Sequence, residues 1–183
     1  MPRIPYFNPT DAVGPRAKKA YEKLPPLNLF RMLGHLGELM EGFTKLGGQL
    51  LNFGKLDPVL REIVIIRVGV LSEAPYEITQ HEWIGRRVGM SDALIAAIHE
   101  GPDAAAFDDL QRMMMQFTDD VVKNVRASDA TFEPLRARLS YQELQEVVLT
   151  IGYYMTVSRI LETFDVELED QPYEMAVDAG RNR

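Results

Sequence analysis

Residues 62–81 read Glu-Ile-Val-Ile-Ile-Arg-Val-Gly-Val-Leu-Ser-Glu-Ala-Pro-Tyr-Glu-Ile-Thr-Gln-His. The first half is apolar on nearly every side of a helix, and such a helix belongs in a core or between subunits. Asp57 stands where an N-cap is needed, and Pro58 takes the first helical position, where no amide donor is wasted. Pro75 opens a second helix that Gly89 closes. A helical hairpin over about residues 58–88 follows, and the rest of the chain must pack around it. Glu62 lies about 15 Å before the turn along the first helix, and His81 about 9 Å after it along the second. The two groups therefore come within about 6 Å along the axis if both face the partner helix.

Apolar residues recur at three-to-four spacing almost throughout, and no strand pattern competes, so the fold class is all-α. Residues 1–27 read as a proline-rich extended arm, lying on something, with a neighbouring subunit one option, followed by a short helix over 16–24. Residues 28–170 form one helical domain. It starts with a helix from Asn28 that carries Leu29 to Met40, and Gly47, Gly48 and Gly54 loosen the chain before the hairpin. Ser91 caps a short helix ended by Gly101 and Pro102, a helix spans 108–125, and a short one spans 131–139. Ser140 with Glu143 makes a capping box for a long apolar helix reaching 161–168. The tail, 171–183, is expected to be flexible.

Composition removes several classes of function. A formal charge of −7 without a clustered basic face argues against nucleic acid as a partner. No apolar run approaches the ~20 residues of a membrane span, and the N-terminus lacks the apolar stretch of a signal peptide, so a cytoplasmic protein is expected. The absence of cysteine excludes disulfides, thiolate metal sites and a thiol redox cycle.

The chemistry-bearing residues cluster in the hairpin. Glu77 and His81, at i and i+4, share one face of the second helix, and Tyr76 stands at its entrance. A purely structural reading is open as well: Glu62 favours the helix dipole, and Glu77 with His81 makes a surface pair. Against it, Glu62 opens directly onto the most apolar run of the chain, and a carboxylate is almost never buried unpaired. A buried acid–imidazole pair is a candidate proton-transfer site. His35 reads as structural and His99 as a helix-end group; Met113, Met114 and Met115 read as core or interface filling. Arg67 is turned about 140° from Glu62. It and Arg86 are the candidate cations for an anionic substrate. With one histidine in register, a metal site built on Glu62, Glu77 and His81 is not expected.

The run Arg61-Glu62-Ile63-Val64-Ile65-Ile66-Arg67-Val68, the run Tyr76-Glu77-Ile78-Thr79-Gln80-His81, and Gly89-Met90-Ser91 ahead of a short helix resemble the carboxymuconolactone decarboxylase family, which includes the alkylhydroperoxidase D-type proteins. The resemblance covers a core motif of about 46–125 and implies an alkylhydroperoxidase D-like helical bundle. Peroxidase-type members carry two cysteines between the glutamate and the histidine; Ala74 and Glu77 occupy those positions here. The resemblance therefore implies the cysteine-less, decarboxylase-type branch.

That branch implies a cofactor-independent lyase acting on a small carboxylated lactone or a related acid from aromatic-compound degradation. His81 would donate the proton, Glu62 or Glu77 would orient it or relay the proton, and Tyr76 would supply a hydroxyl. No metal or organic cofactor is implied, because the substrate delocalises its own electrons. A non-catalytic oligomeric binding or scaffold protein on the same fold is the alternative. The resemblance also implies a homo-oligomer, a trimer or a hexamer, with sites near subunit boundaries.

Overall fold

The computed structural model describes residues 1–8, 10 and 14–169. Local signals set most helix limits. Asp57 caps α4 (Pro58–Leu71) by accepting from the Val59 and Leu60 amides at 2.9 and 3.1 Å. Pro75 starts α5 (Pro75–Arg87), and Gly89, at φ +105°, ends that segment in a conformation other residues avoid. Ser91 caps α6 (Asp92–Glu100). Reciprocal capping boxes start α7 (Asp109–Asn124), from Asp108 and Gln111, and α9 (Tyr141–Thr163), from Ser140 and Glu143. Between those two lies α8 (Asp129–Arg136). The described residues contain no strand, and no helix among them is long and apolar enough to cross a membrane.

Helix α4 is the axis of the bundle. Every residue from Leu60 to Gly69 is buried, and α4 packs on α5, α7, α9 and α6. Ile63, Val64, Ile65, Ile66 and Val68 are 0% exposed. At about 2 kcal/mol for each such side chain, their burial contributes roughly 10 kcal/mol. That is as large as the net stability of an ordinary domain. The choice between core and subunit interface for this helix is thus decided within one chain. Met114, Met115 and Phe117 of α7 and Val147, Ile151 and Tyr154 of α9 complete the same core.

The early part of the chain differs from expectation. The single helix expected from Asn28 is broken into α2 (Asn28–Leu33), a 3₁₀ turn (Gly34–Leu36) and α3 (Leu39–Asn52). The break follows from two glycines. Gly37 adopts φ +58°, and a Cβ on Gly34 would lie 2.4 Å from the Phe7 ring. Gly47 and Gly48 do not loosen the chain; both lie inside α3, where the missing Cβ of Gly47 leaves room for the Tyr153 hydroxyl. The N-terminal arm, with α1 (Pro15–Tyr21) after it, lies on its own chain: Phe7 is buried against Tyr21 and His35, and its amide donates to the Arg31 carbonyl at 3.0 Å. The segment 171–183 lies outside the described residues.

Candidate active site

The α4–α5 hairpin sets Glu62 against His81. Glu62 is 0% exposed, Glu77 2% and His81 5%, so the three form one buried cluster. His81 Nδ1 lies 2.6 Å from Glu62 Oε2, and its Nε2 lies 3.1 Å from Glu77 Oε1. Ionised carboxylates only accept, so a ring held by two of them carries a proton on each nitrogen. The other Glu62 oxygen accepts from Arg61 Nε at 2.9 Å, and Arg61 Nη1 donates to the Leu51 carbonyl at 2.9 Å, tying α4 to the end of α3. Two carboxylates, one guanidinium and one imidazolium make the cluster neutral as a whole, which is what allows it to be buried.

Burial by itself lowers the His81 pKa, because it penalises the charged ring; the charges and hydrogen bonds of Glu62 and Glu77 outweigh it and hold the value at about 9. The resting imidazole is therefore protonated at neutral pH. The Tyr154 ring stands edge-on to it, with centroids 4.8 Å apart. Burial, followed by the Glu77 and Glu62 charges, pushes the Tyr154 phenol well above its ordinary value, so it stays neutral.

A cavity of about 160 Å³ opens on this cluster. Glu77, His81, Tyr76, Gln80, Tyr153 and Tyr154 line it on one side, and Leu24, Leu27, Leu29, Phe30, Leu51, Ile84 and Val157 make the apolar remainder. Glu62 and Arg61 do not reach the lining. Arg61 and Glu62 thus lie behind His81, which lines the cavity together with Glu77. A space of this size suits a single-ring compound; a dry cavity of about 150 Å³ accommodates benzene. A larger open groove, about 1320 Å³, runs over the outer face of α9 between Phe43, Leu46, Tyr141, Val148 and Leu149. It contains none of the acid–imidazole groups, so chemistry rather than size marks the site.

The other candidate residues are placed elsewhere. Arg67, expected to hold an anionic substrate, is committed to Asp119 through two hydrogen bonds of 2.5 and 2.8 Å and to the Ile98 carbonyl at 3.0 Å. Burial pushes the Asp119 carboxyl up, but the hydrogen bonds from Arg67 and Lys123 outweigh it and hold the group below the usual carboxylate range. Arg86, the second candidate, lies half-exposed and donates to Asp92 at 2.9 Å, with Glu82 3.6 Å away. Neither arginine lines the cavity. Tyr76 lines it, and its hydroxyl donates to Glu169 at 2.5 Å. His35 anchors the arm through the Pro5 carbonyl at 2.8 Å. His99 stands in the last turn of α6 and pairs with Glu82 at 2.7 Å, joining α6 to α5.

Sequence reasoning passed over Arg61, Tyr153, Tyr154 and Glu169 as site residues. Arg61 had a signal: a cation directly before a carboxylate that opens an apolar helix needs its own buried partner. The tyrosines had none, since they sit in a long apolar helix, and Tyr154 meets His81 only through the α5–α9 packing. Among the described residues no three His, Asp or Glu side chains converge as metal ligands, and both His81 nitrogens are occupied by carboxylates.

Comparison with known proteins agrees with this architecture. No curated sequence matches the chain at a significant level. A peroxidase-related protein with an alkylhydroperoxidase AhpD core from Ralstonia eutropha JMP134 superposes with a TM-score of 0.80 at 18% identity, over 93% of each chain. A peroxidase-related protein from Silicibacter sp. TM1040 gives 0.76 at 18% identity, covering 93% of this chain and 95% of that one. The debrominase Bmp8 in complex with 2,3,4-tribromopyrrole gives 0.70 at 16% identity, covering 85% and 83%. The carboxymuconolactone decarboxylase family model matches residues 37–120, which hold the whole hairpin. The chain thus has an all-α alkylhydroperoxidase D-like fold without a cysteine, and its central segment is similar to the carboxymuconolactone decarboxylase family.

Proposed function

We propose that the protein is a cofactor-independent proton-transfer enzyme of the decarboxylase or lyase type, acting on a small carboxylated lactone or a related ring acid. The observation that carries this reading is the protonated imidazole held between two carboxylates at the wall of a ring-sized cavity. Glu62, fixed by Arg61, orients His81 from behind; Glu77, which lines the cavity beside the imidazole, relays the proton. The open cavity favours an enzyme over a scaffold whose core is closed by side chains.

In the step itself, the bond between the ring carbon and the departing carboxylate breaks. Carbon dioxide leaves, and the electron pair stays delocalised as an enolate into the lactone carbonyl. The apolar wall of Leu27, Leu29, Leu51 and Val157 strips water from the departing carboxylate, which raises its energy relative to the uncharged product. His81 Nε2 gives its proton to the Glu77 carboxylate, Glu77 passes that proton to the carbon and returns to its ionised form, and the imidazole takes a proton from solvent. The substrate and the protein's groups supply every electron and proton needed.

The test is decarboxylation of a panel of carboxylated butenolides in deuterium oxide. Deuterium should appear at the carbon that loses carbon dioxide, and His81→Gln should lower kcat by about 10²-fold or more. Unchanged turnover in that variant overturns the reading. The half-exposed apolar groove along α9, with Val148 and Leu149 at its centre, supports self-association as a homo-oligomer, which light scattering measures.

A further inference from the structure

Two polar residues of the cavity lining, Tyr76 and Gln80, both donate to a carboxylate of the protein itself. Glu169, beyond the end of α9, accepts from the Tyr76 hydroxyl at 2.5 Å and the Asn28 amide at 2.6 Å through one oxygen, and from the Gln80 side chain at 2.9 Å through the other. Among the described residues no lysine, arginine or histidine pairs with it; its partners are neutral donors. Tyr76 is 2% exposed, and its oxygen also accepts from the Leu29 amide at 3.3 Å. That second contact turns the hydroxyl proton outward whether or not Glu169 is there, so the donor is set in advance by the α2–α5 packing. Tyr76 and Gln80 are one turn apart on α5, as are Glu77 and His81 on the adjoining stripe, and both stripes line the cavity.

We propose that Tyr76, Gln80 and the Asn28 amide form a carboxylate-binding subsite beside the cavity, which Glu169 fills until an anionic ligand displaces it. The ligand is a ring compound with a carboxylate on its rim: the ring enters the cavity beside His81, and the carboxylate takes the place of the Glu169 side chain. The subsite accounts for how the cavity binds an anion although Arg67 and Arg86 are engaged elsewhere. Neutral donors make the exchange feasible, since one carboxylate replaces another with no ion pair broken. The proposal rests on the decarboxylase reading and names the groups that hold the substrate carboxylate that does not leave.

Benzoate serves as the probe and benzyl alcohol as its neutral counterpart, each titrated by calorimetry. Glu169→Ala should bind benzoate at least tenfold more tightly than the wild type and bind benzyl alcohol equally well. Adding Tyr76→Phe, or Gln80→Leu as an independent second variant, to Glu169→Ala should remove most of that gain. Unchanged benzoate affinity in Glu169→Ala overturns the proposal. So does an equal gain for benzyl alcohol, which would mean the cavity had only been opened. His81→Gln should keep its benzoate affinity, so full turnover in that variant would sink the proton-transfer reading and leave the subsite standing.

Discussion

Replacing His81 tests the buried acid–imidazole cluster through protein stability alone. Folding raises the His81 pKa from 6.5 to about 9. A group raised on folding stabilises the native state fully below its unfolded value, and that stability is lost as pH rises through the folded value. The interval is about 2.5 pH units, and at 1.36 kcal/mol per unit it amounts to about 3 kcal/mol. The group is buried, so solvent screening takes little from this figure. Urea unfolding at pH 6 and pH 9.5 of the wild type and of His81→Gln isolates the effect, because every other titrating group is common to both. The wild type should lose about 3 kcal/mol more than the variant between the two pH values. With a slope near 2 kcal/mol/M, that is about 1.5 M in the urea midpoint. Parallel stability curves, or a wild type that gains stability toward pH 9.5, would refute the argument that two ionised carboxylates hold the ring.

Glu77→Gln removes one of the two charges that raise His81, so the histidine's NMR-detected pKa should fall by about 1 pH unit or more. Glu62→Gln leaves Arg61 buried beside a neutral group and should cost about 3–5 kcal/mol, read as a melting temperature lower by roughly 10 °C. Asp119→Ala should cost a similar amount by stranding Arg67, while the His81 titration stays where it was; a shift there would tie Arg67 to the site after all. Arg86→Ala, on the surface, should change stability by no more than about 0.5 kcal/mol in the same melt.

Helix existence and limits were largely legible because they rest on local chemistry. Asp57 with Pro58, Ser91, and Ser140 with Glu143 act on amides within three residues of themselves, and hydrophobic spacing selects the buried stripe without reference to the rest of the fold. The hairpin was legible for the same reason: the rise per residue sets the level at which Glu62 and His81 stand once the turn at Ser72 to Pro75 is read. Gly47 was misread as loosening the chain, and Gly34 drew no reading; they answer to Tyr153 and Phe7, distant residues whose approach leaves no local trace.

The amino-acid sequence by itself determined an all-α chain with an acid and an imidazole on facing helices, and its lack of cysteine excluded thiol redox chemistry. Only the tertiary structure decided which charges meet. Arg67 finds Asp119, Glu169 finds Tyr76, and Tyr154 finds His81 across separations of 52, 93 and 73 residues. A buried charge must be matched by whatever the packing brings beside it, and packing joins side chains that no spacing rule relates. For that reason the acid and the imidazole of the hairpin could be read from the sequence, while the cavity lining and the donors to Glu169 emerged only when the helices came together.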